Sequence, residues 1–237
     1  MFPIRILYED NHLLVVEKPV NILSQGDETG DPDMLTLLKN DIKLRYNKPG
    51  EVYLGLVHRL DRPVGGAMVF ARTSKAASRL SEQIRSRQFQ KVYLTVVHGT
   101  PSLKEATLEH TLLKDEKTNT VQPVHPGTPG GLKAELDYRV LEASGGLSLI
   151  RVQLHTGRPH QIRVQLSTIG HPIFGDQKYG SGFSSPGEQI ALWSYRISLL
   201  HPTRREEMTF DCPPPHKYPW DRFDSIKRSG TPDISSP

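Results

Sequence analysis

The chain has 237 residues, of which 36% are hydrophobic and 24% charged, enough apolar side chain for a sizeable core and too much for a disordered polymer. Lys and Arg exceed Asp and Glu by 30 to 26, a net charge of +4 that permits an anionic partner without demanding one. Cys212 is the single cysteine, so neither an internal disulfide nor a paired-cysteine zinc motif is possible, and no apolar stretch would span a bilayer. The first residues, MFPIRILYEDNHLLVVEKP, carry acids early and resemble neither a signal peptide nor an anchor. The expectation is a cytoplasmic protein with no membrane contact, monomeric by default.

Residues 12–17 (HLLVVE) form a short apolar run ending at Lys18-Pro19, which predicts a buried strand. Over 33–46, Met34, Leu37, Leu38 and Ile42 fall at helical spacing behind Asp33, a suitable N-cap. Two strand-like pieces follow, at 54–57 and 67–71, joined by HRLDRPVGG, whose proline and glycines mark a loop of demanding geometry. Residues 74–87 predict an amphipathic helix with Ala77, Leu80 and Ile84 as its stripe. Between Arg72 and Lys91 lie six cations against Glu82 alone, a face able to meet phosphates.

The chain then becomes strand-rich, at 91–97, 106–113, 134–143 and 147–155. The polar, Pro- and Gly-rich segment 114–131 reads as an exposed excursion. A helix is expected near 159–169, with Pro159 in its first turn and Ile162, Leu166 and Ile169 facing the core. Two last strands, near 190–199 and 206–211, precede a flexible tail after about residue 222. Runs of strands with few helices, and no regular alternation of the two, indicate an α+β fold around a central mixed, mostly antiparallel sheet flanked by helices and loops. One domain over 1–222 is expected, with 223–237 as its tail.

Three segments are unusually polar for their settings: His58-Arg59-Leu60-Asp61-Arg62-Pro63 after a strand, Lys91-Val92-Tyr93 at the start of another, and Thr156–Arg163 at a strand-to-helix turn. Ionisable groups at the ends of rigid elements can be aimed into one cleft. Singly, Asp61 reads as a turn cap, Tyr93 as core packing and Arg163 as a surface charge. His58, His155 and His160 lack a metal-binding spacing such as HExxH, so no metal is assigned.

Together, HRLDRPVGG at 58–66, KVYLTVVHG at 91–99 and TGRPHQIRVQLSTIGHPIFGDQKYG at 156–180 resemble the RluA-type RNA pseudouridine synthase family. EDNHLLVVEKPVNIL resembles its amino-terminal Lys-Pro segment and IALWSYRISLLHP its carboxy-terminal signature, so the resemblance covers residues 6–213. It implies the pseudouridine synthase catalytic fold acting on uridines of ribosomal or transfer RNA, with neither cofactor nor metal. Starting almost at Met1, it also implies a stand-alone catalytic domain without an S4 domain. By the same resemblance Asp61 would be the essential carboxylate, Tyr93 would stack on the base, and Arg163 would pair with Asp61. Arg59 would enter the RNA stack and hold the uridine flipped out. Arg62, His58, Arg158, His160 and Gln161 are expected to contact RNA around the flipped base, and Leu60 and Ile162 to shape the pocket. The sequence departs from the family at Val64-Gly65, where Thr-Ser is common, and at Gln165 and Trp193, where His is frequent.

Overall fold

A computed structural model describes residues 4–227. The chain forms two compact units. The first runs to Lys91 and includes Ser194–Cys212, and the second comprises Val92–Trp193 and the chain from Pro213.

In the first unit, β1 (Ile6–Glu9) and β2 (Leu13–Lys18) form an antiparallel pair. Their turn is fixed by Asp10, whose carboxylate accepts the backbone N–H groups of His12 and Leu13, each at 2.7 Å. Helix α1 (Met34–Arg45) starts at Asp33, whose side chain accepts Thr36 N–H, and buries Met34, Leu38 and Ile42. Strand β3 (Gly55–Leu56) and β2 each pair antiparallel with β4 (Gly65–Ala71), with Lys18 opposite Gly66. Every residue of β4 is buried, which its continuous apolar run Ala67–Ala71 requires. The later strand β10 (Leu192–Leu200) lies beside β4 and pairs with β11 (Glu207–Asp211).

Helix α2 (Ser74–Arg85) has the expected extent but a rotated face: it buries Ala76, Leu80 and Gln83, leaving Ala77 and Ile84 half-buried. The cause is Gln83, whose amide donates to Leu200 O at 2.8 Å while its oxygen accepts Leu200 N–H at 2.9 Å. A polar side chain occupies a core position here because both of its groups are satisfied.

The second unit is an antiparallel array in the order β5 (Gln90–His98), β9 (Leu147–Leu154), β8 (Leu132–Ser144), β6 (Glu105–Asp115) and β7 (Thr120–Val124), followed by α3 (Gln161–Thr168). Gly145 and Gly146, with φ of 57° and 78°, make the two-residue turn between β8 and β9, where adjacent positive φ angles favour glycine. The supposed excursion at 114–131 is corrected: it contains the end of β6 and all of β7, and Val121 is buried with Leu112, Ala134 and Val164. Helix α3 starts later than expected. His160, at φ 51°, is its N-cap residue, which puts Pro159 outside the first turn, and Ile169 is the half-buried C-cap while Ile162 and Leu166 are buried. The expected tail begins with order: Phe223 and Ile226 are buried, and α4 (Asp224–Lys227) is capped by Glu142, which accepts the N–H groups of Asp224 and Ser225 at 3.0 Å. The rest of that tail lies outside the described residues. The α+β class with a mostly antiparallel sheet is what the structure shows.

Candidate active site

Asp61 sits, half-buried, in the loop joining β3 to β4. Its carbonyl accepts Val64 N–H at 3.0 Å, closing a turn through Arg62 and Pro63. The chain after β2 fixes this turn from beneath. Lys18, with no exposed surface, donates from Nζ to the carbonyls of Pro19 (3.0 Å), Arg62 (3.0 Å) and Val64 (2.8 Å). Asn21 N–H donates to the Arg62 carbonyl at 2.9 Å. Ser24 Oγ donates to Leu60 O at 2.7 Å and accepts Leu60 N–H at 3.0 Å. The backbone is therefore held at the residues directly before and after Asp61. Burial pushes the Lys18 amine down to about 7, opposed by the Asp61 charge and assisted by Arg62. Three carbonyl acceptors match the three hydrogens of an ammonium, one more than a neutral amine has to give, so the geometry fits the charged form.

The other residues of the loop divide. Arg59 is exposed, and Arg62, also exposed, forms an ion pair with Asp31 at 2.7 Å. Leu60 is buried. His58, expected to contact RNA, is turned inward instead: its Nε2 accepts Val69 N–H at 2.9 Å and its ring meets Phe89. Burial, with Lys91 nearby, lowers His58 to about 3, so it is a neutral ring fastened to β4. The Val64-Gly65-Gly66 variation is a packing solution. Val64 is buried, and Gly66 has φ 113° and lies so close to Ser194 that a Cβ would stand 2.3 Å from its carbonyl oxygen.

In the second unit, Arg163 projects from α3 and is only 6% exposed. Nε and Nη2 bind Asp176 side-on at 2.8 and 2.7 Å, and the guanidinium lies 5.1 Å from the ring centre of Tyr179. Asp176 has no exposed surface and also accepts the N–H groups of Lys178 and Tyr179 at 2.9 and 3.0 Å. Burial pushes its carboxyl up, but Arg163 and these two amides outweigh it and hold the group below the usual range. Tyr179 hydroxyl accepts Val121 N–H at 2.8 Å and lies 2.7 Å from His160 Nδ1. Tyr93, on β5 opposite Val152, is buried, and so is Ile162.

Gln161, expected to meet RNA, is instead an internal organiser. Its oxygen accepts Thr156 Oγ (2.8 Å) and Arg158 N–H (3.0 Å), and its amide donates to Glu135 O (3.0 Å). That arrangement supplies the order at the start of α3 that His160, making no side-chain cap, does not. Arg158 Nε donates to Lys133 O at 2.9 Å. His155 pairs with Asp137 at 2.6 Å. Among the described residues no group of three or more His, Cys, Asp or Glu is arranged to hold a metal.

The cationic run from Arg72 to Lys91 is largely engaged within the chain. Arg72 bridges to Glu9, Arg79 donates to Pro202 O, Arg85 pairs at the surface with Glu82, and burial lowers Lys91, so the exposed cations of the run are Lys75, Arg87 and the ion-paired Arg85.

Sequence reasoning assigned no role to Lys18, Ser24, Asp176 or Tyr179. Lys18 and Asp176 do carry a signal: a lysine closing a strand that opens Leu-Leu-Val-Val, and an aspartate inside the Gly-rich turn after Ile173-Phe174.

A family model described as RNA pseudouridylate synthase matches residues 12–168. The dual-specificity RNA pseudouridine synthase RluA of Salmonella typhi is 34% identical over 210 residues, covering 88% of this chain and 92% of that protein. The ribosomal large subunit pseudouridine synthase D of Haemophilus influenzae is 31% identical over 230 residues, covering 91% and 69%. The human RNA pseudouridylate synthase domain containing 4 has the same fold, with a TM-score of 0.75 at 24% identity over 89% of this chain and 88% of that one. The chain belongs to the RNA pseudouridine synthase family, enzymes that isomerise uridine to pseudouridine in RNA. No helix among the described residues is long and apolar enough to cross a membrane.

Proposed function

We propose that this protein isomerises particular uridines of ribosomal or transfer RNA, with Asp61 as the catalytic carboxylate and Tyr93 and Arg163 acting with it on the same nucleotide. The observation that carries the reading is the Asp61 turn, held by hydrogen bonds at Leu60, Arg62 and Val64 while Asp61 stays half-buried. A reacting group needs that combination of fixed direction and access.

The reaction breaks the C1′–N1 bond, turns the uracil and joins it again through C5, releasing the C5 hydrogen. There is no net oxidation or hydrolysis. A carboxylate serves either as nucleophile at C1′ or as base. Arg163 would pair with Asp61 and keep it ionised while RNA excludes water, and Tyr93 would stack against the base. Flipping the base out of its stack costs a few kcal/mol, which exposed Arg59 would offset by filling the gap, with Arg62, Arg158 and His160 at the surrounding backbone. Leu60 and Ile162 would line the pocket. The working enzyme is taken as a cytoplasmic monomer whose catalytic domain spans 1–222. The printed names of the relatives, one ribosomal and one of dual specificity, support the choice of substrate. Purified protein should release tritium from cellular RNA labelled at C5 of uridine, and Asp61→Asn should release none. RNA binding by the wild type without tritium release would sink the proposal.

A further inference from the structure

We infer that Asp176 is a positioning residue for the isomerisation, fixing the direction of Arg163 and cancelling its charge so that Arg163 acts as an aimed hydrogen-bond donor. The inference rests on the reading that Arg163 serves the Asp61 carboxylate.

An arginine presents five N–H groups in a rigid plane. Asp176 takes the Nε–Nη2 edge through two bonds, which removes rotation about the last side-chain torsions and directs the remaining Nη hydrogens to other acceptors. Tyr179 limits tilting from one face. The carboxylate is itself immobile. Its Oδ1 accepts two backbone amides as well as Arg163. Its turn is bracketed by Gly175, where a Cβ would stand 2.3 Å from Gln189 O, and Gly180, where it would stand 2.6 Å from Asp176 O. An ordinary surface ion pair has none of this. Exposure of the two side chains is 7% and 0%, so the pair is a buried, neutral unit.

Neutrality has a kinetic signature. Beside a compensated guanidinium, the reacting carboxylate is stabilised by hydrogen bonds but feels little net field. Removing the Asp176 charge leaves an uncompensated cation, which favours the ionised form of that carboxylate and weakens it as a base.

The test uses the full chain, with single-turnover tritium release from cellular RNA labelled at C5 of uridine, measured from pH 3 to 8. Asp176→Asn should slow the maximal rate by about 100-fold, the penalty of a misdirected group, with half-saturation changed less than threefold. The acidic limb of its rate profile should move down by about one pH unit. Asp176→Glu keeps the charge but lengthens the arm, so its rate should fall with the limb in place. A merely structural residue would instead lower the amount of active protein without moving the limb. Folded Asp176→Asn with a wild-type rate and an unmoved limb overturns the inference. Should Asp176→Asn fail to fold, Asp176→Glu decides, and a wild-type rate in it has the same consequence. A wild type that releases no tritium defeats the functional reading itself, an outcome distinct from an active wild type indifferent to Asp176.

Discussion

Lys18 gives the clearest separation of roles at the residue scale. Its ammonium touches three carbonyls around the Asp61 turn, and methionine has the bulk to fill the same space without a hydrogen to donate. Leaving buried carbonyls without their charged donor should destabilise the fold by about 1–3 kcal/mol. Because the carbonyls of Arg62 and Val64 flank Asp61, turnover should fall further than stability alone explains. Urea denaturation and pseudouridine formation on the same Lys18→Met preparation measure both, and unchanged turnover would remove Lys18 from the site. Arg163→Met is the harsher change. It strands the fully buried Asp176 carboxylate, and breaking one side of such a pair costs about 3–5 kcal/mol. The double variant Arg163→Met/Asp176→Asn should recover a large part of that stability and none of the activity, which thermal unfolding and tritium release would show together.

At the scale of elements, two turns distant in sequence are joined through Asp10. Its Oδ2 accepts His201 Nε2 at 2.8 Å and Tyr8 hydroxyl at 2.9 Å, while His201 Nδ1 accepts the N–H groups of Thr203 and Arg204. The turn between β1 and β2 is thus tied to the turn between β10 and β11. Burial pushes the Asp10 carboxyl up, but the amides of His12 and Leu13, then Tyr8 and His201, bring it to about 2 from an ordinary 3.8. A carboxyl depressed in the folded state stabilises fully above its unfolded value and stops doing so as pH falls through its folded one. Asp10→Asn should therefore flatten the acid loss of stability between pH 4 and pH 2, as followed by circular dichroism. An identical acid profile would contradict the assignment.

The same scale shows what could be read from the sequence. Helix α1 was legible because Asp33 and the Met34, Leu38, Ile42 spacing agree, and strands β8 and β9 because of their β-branched and alternating apolar content. The face of α2 was not, since Gln83 is a core residue only by virtue of Leu200, 117 positions away. β7 was hidden in a polar segment whose one deeply buried side chain, Val121, meets residues distant in sequence. For the proposed site, Asp61, Tyr93 and Arg163 were singled out through their motifs. Lys18 and Asp176 were not assigned, because a buried charge is defined by partners that only the fold supplies. His58 and Gln161 were misplaced for the same reason, His58 Nε2 and the Gln161 amide being engaged inside the protein.

At the scale of the whole molecule, a net charge of +4 is too small to hold RNA by itself, so binding should depend on where the cations stand. Arg72 and Arg79 are engaged within the chain and the exposed Arg85 is paired with Glu82, so Lys75 and Arg87 are the exposed cations of that run outside these contacts. Lys75→Glu/Arg87→Glu should weaken RNA binding at low salt and reduce the dependence of log K on log salt by about 1 per cation removed. Filter binding across a salt series measures the slope, and an unchanged slope would place the phosphate contacts elsewhere.

The measurement that tests the central claim most directly is a transcriptome-wide map of pseudouridine, by carbodiimide-dependent primer extension, in a strain lacking the gene and complemented with either the wild type or Asp61→Asn. The account predicts at least one uridine in ribosomal or transfer RNA whose modification disappears on deletion and returns with the wild type alone. Restoration by Asp61→Asn, or no site that changes although both proteins are expressed and folded, would contradict it.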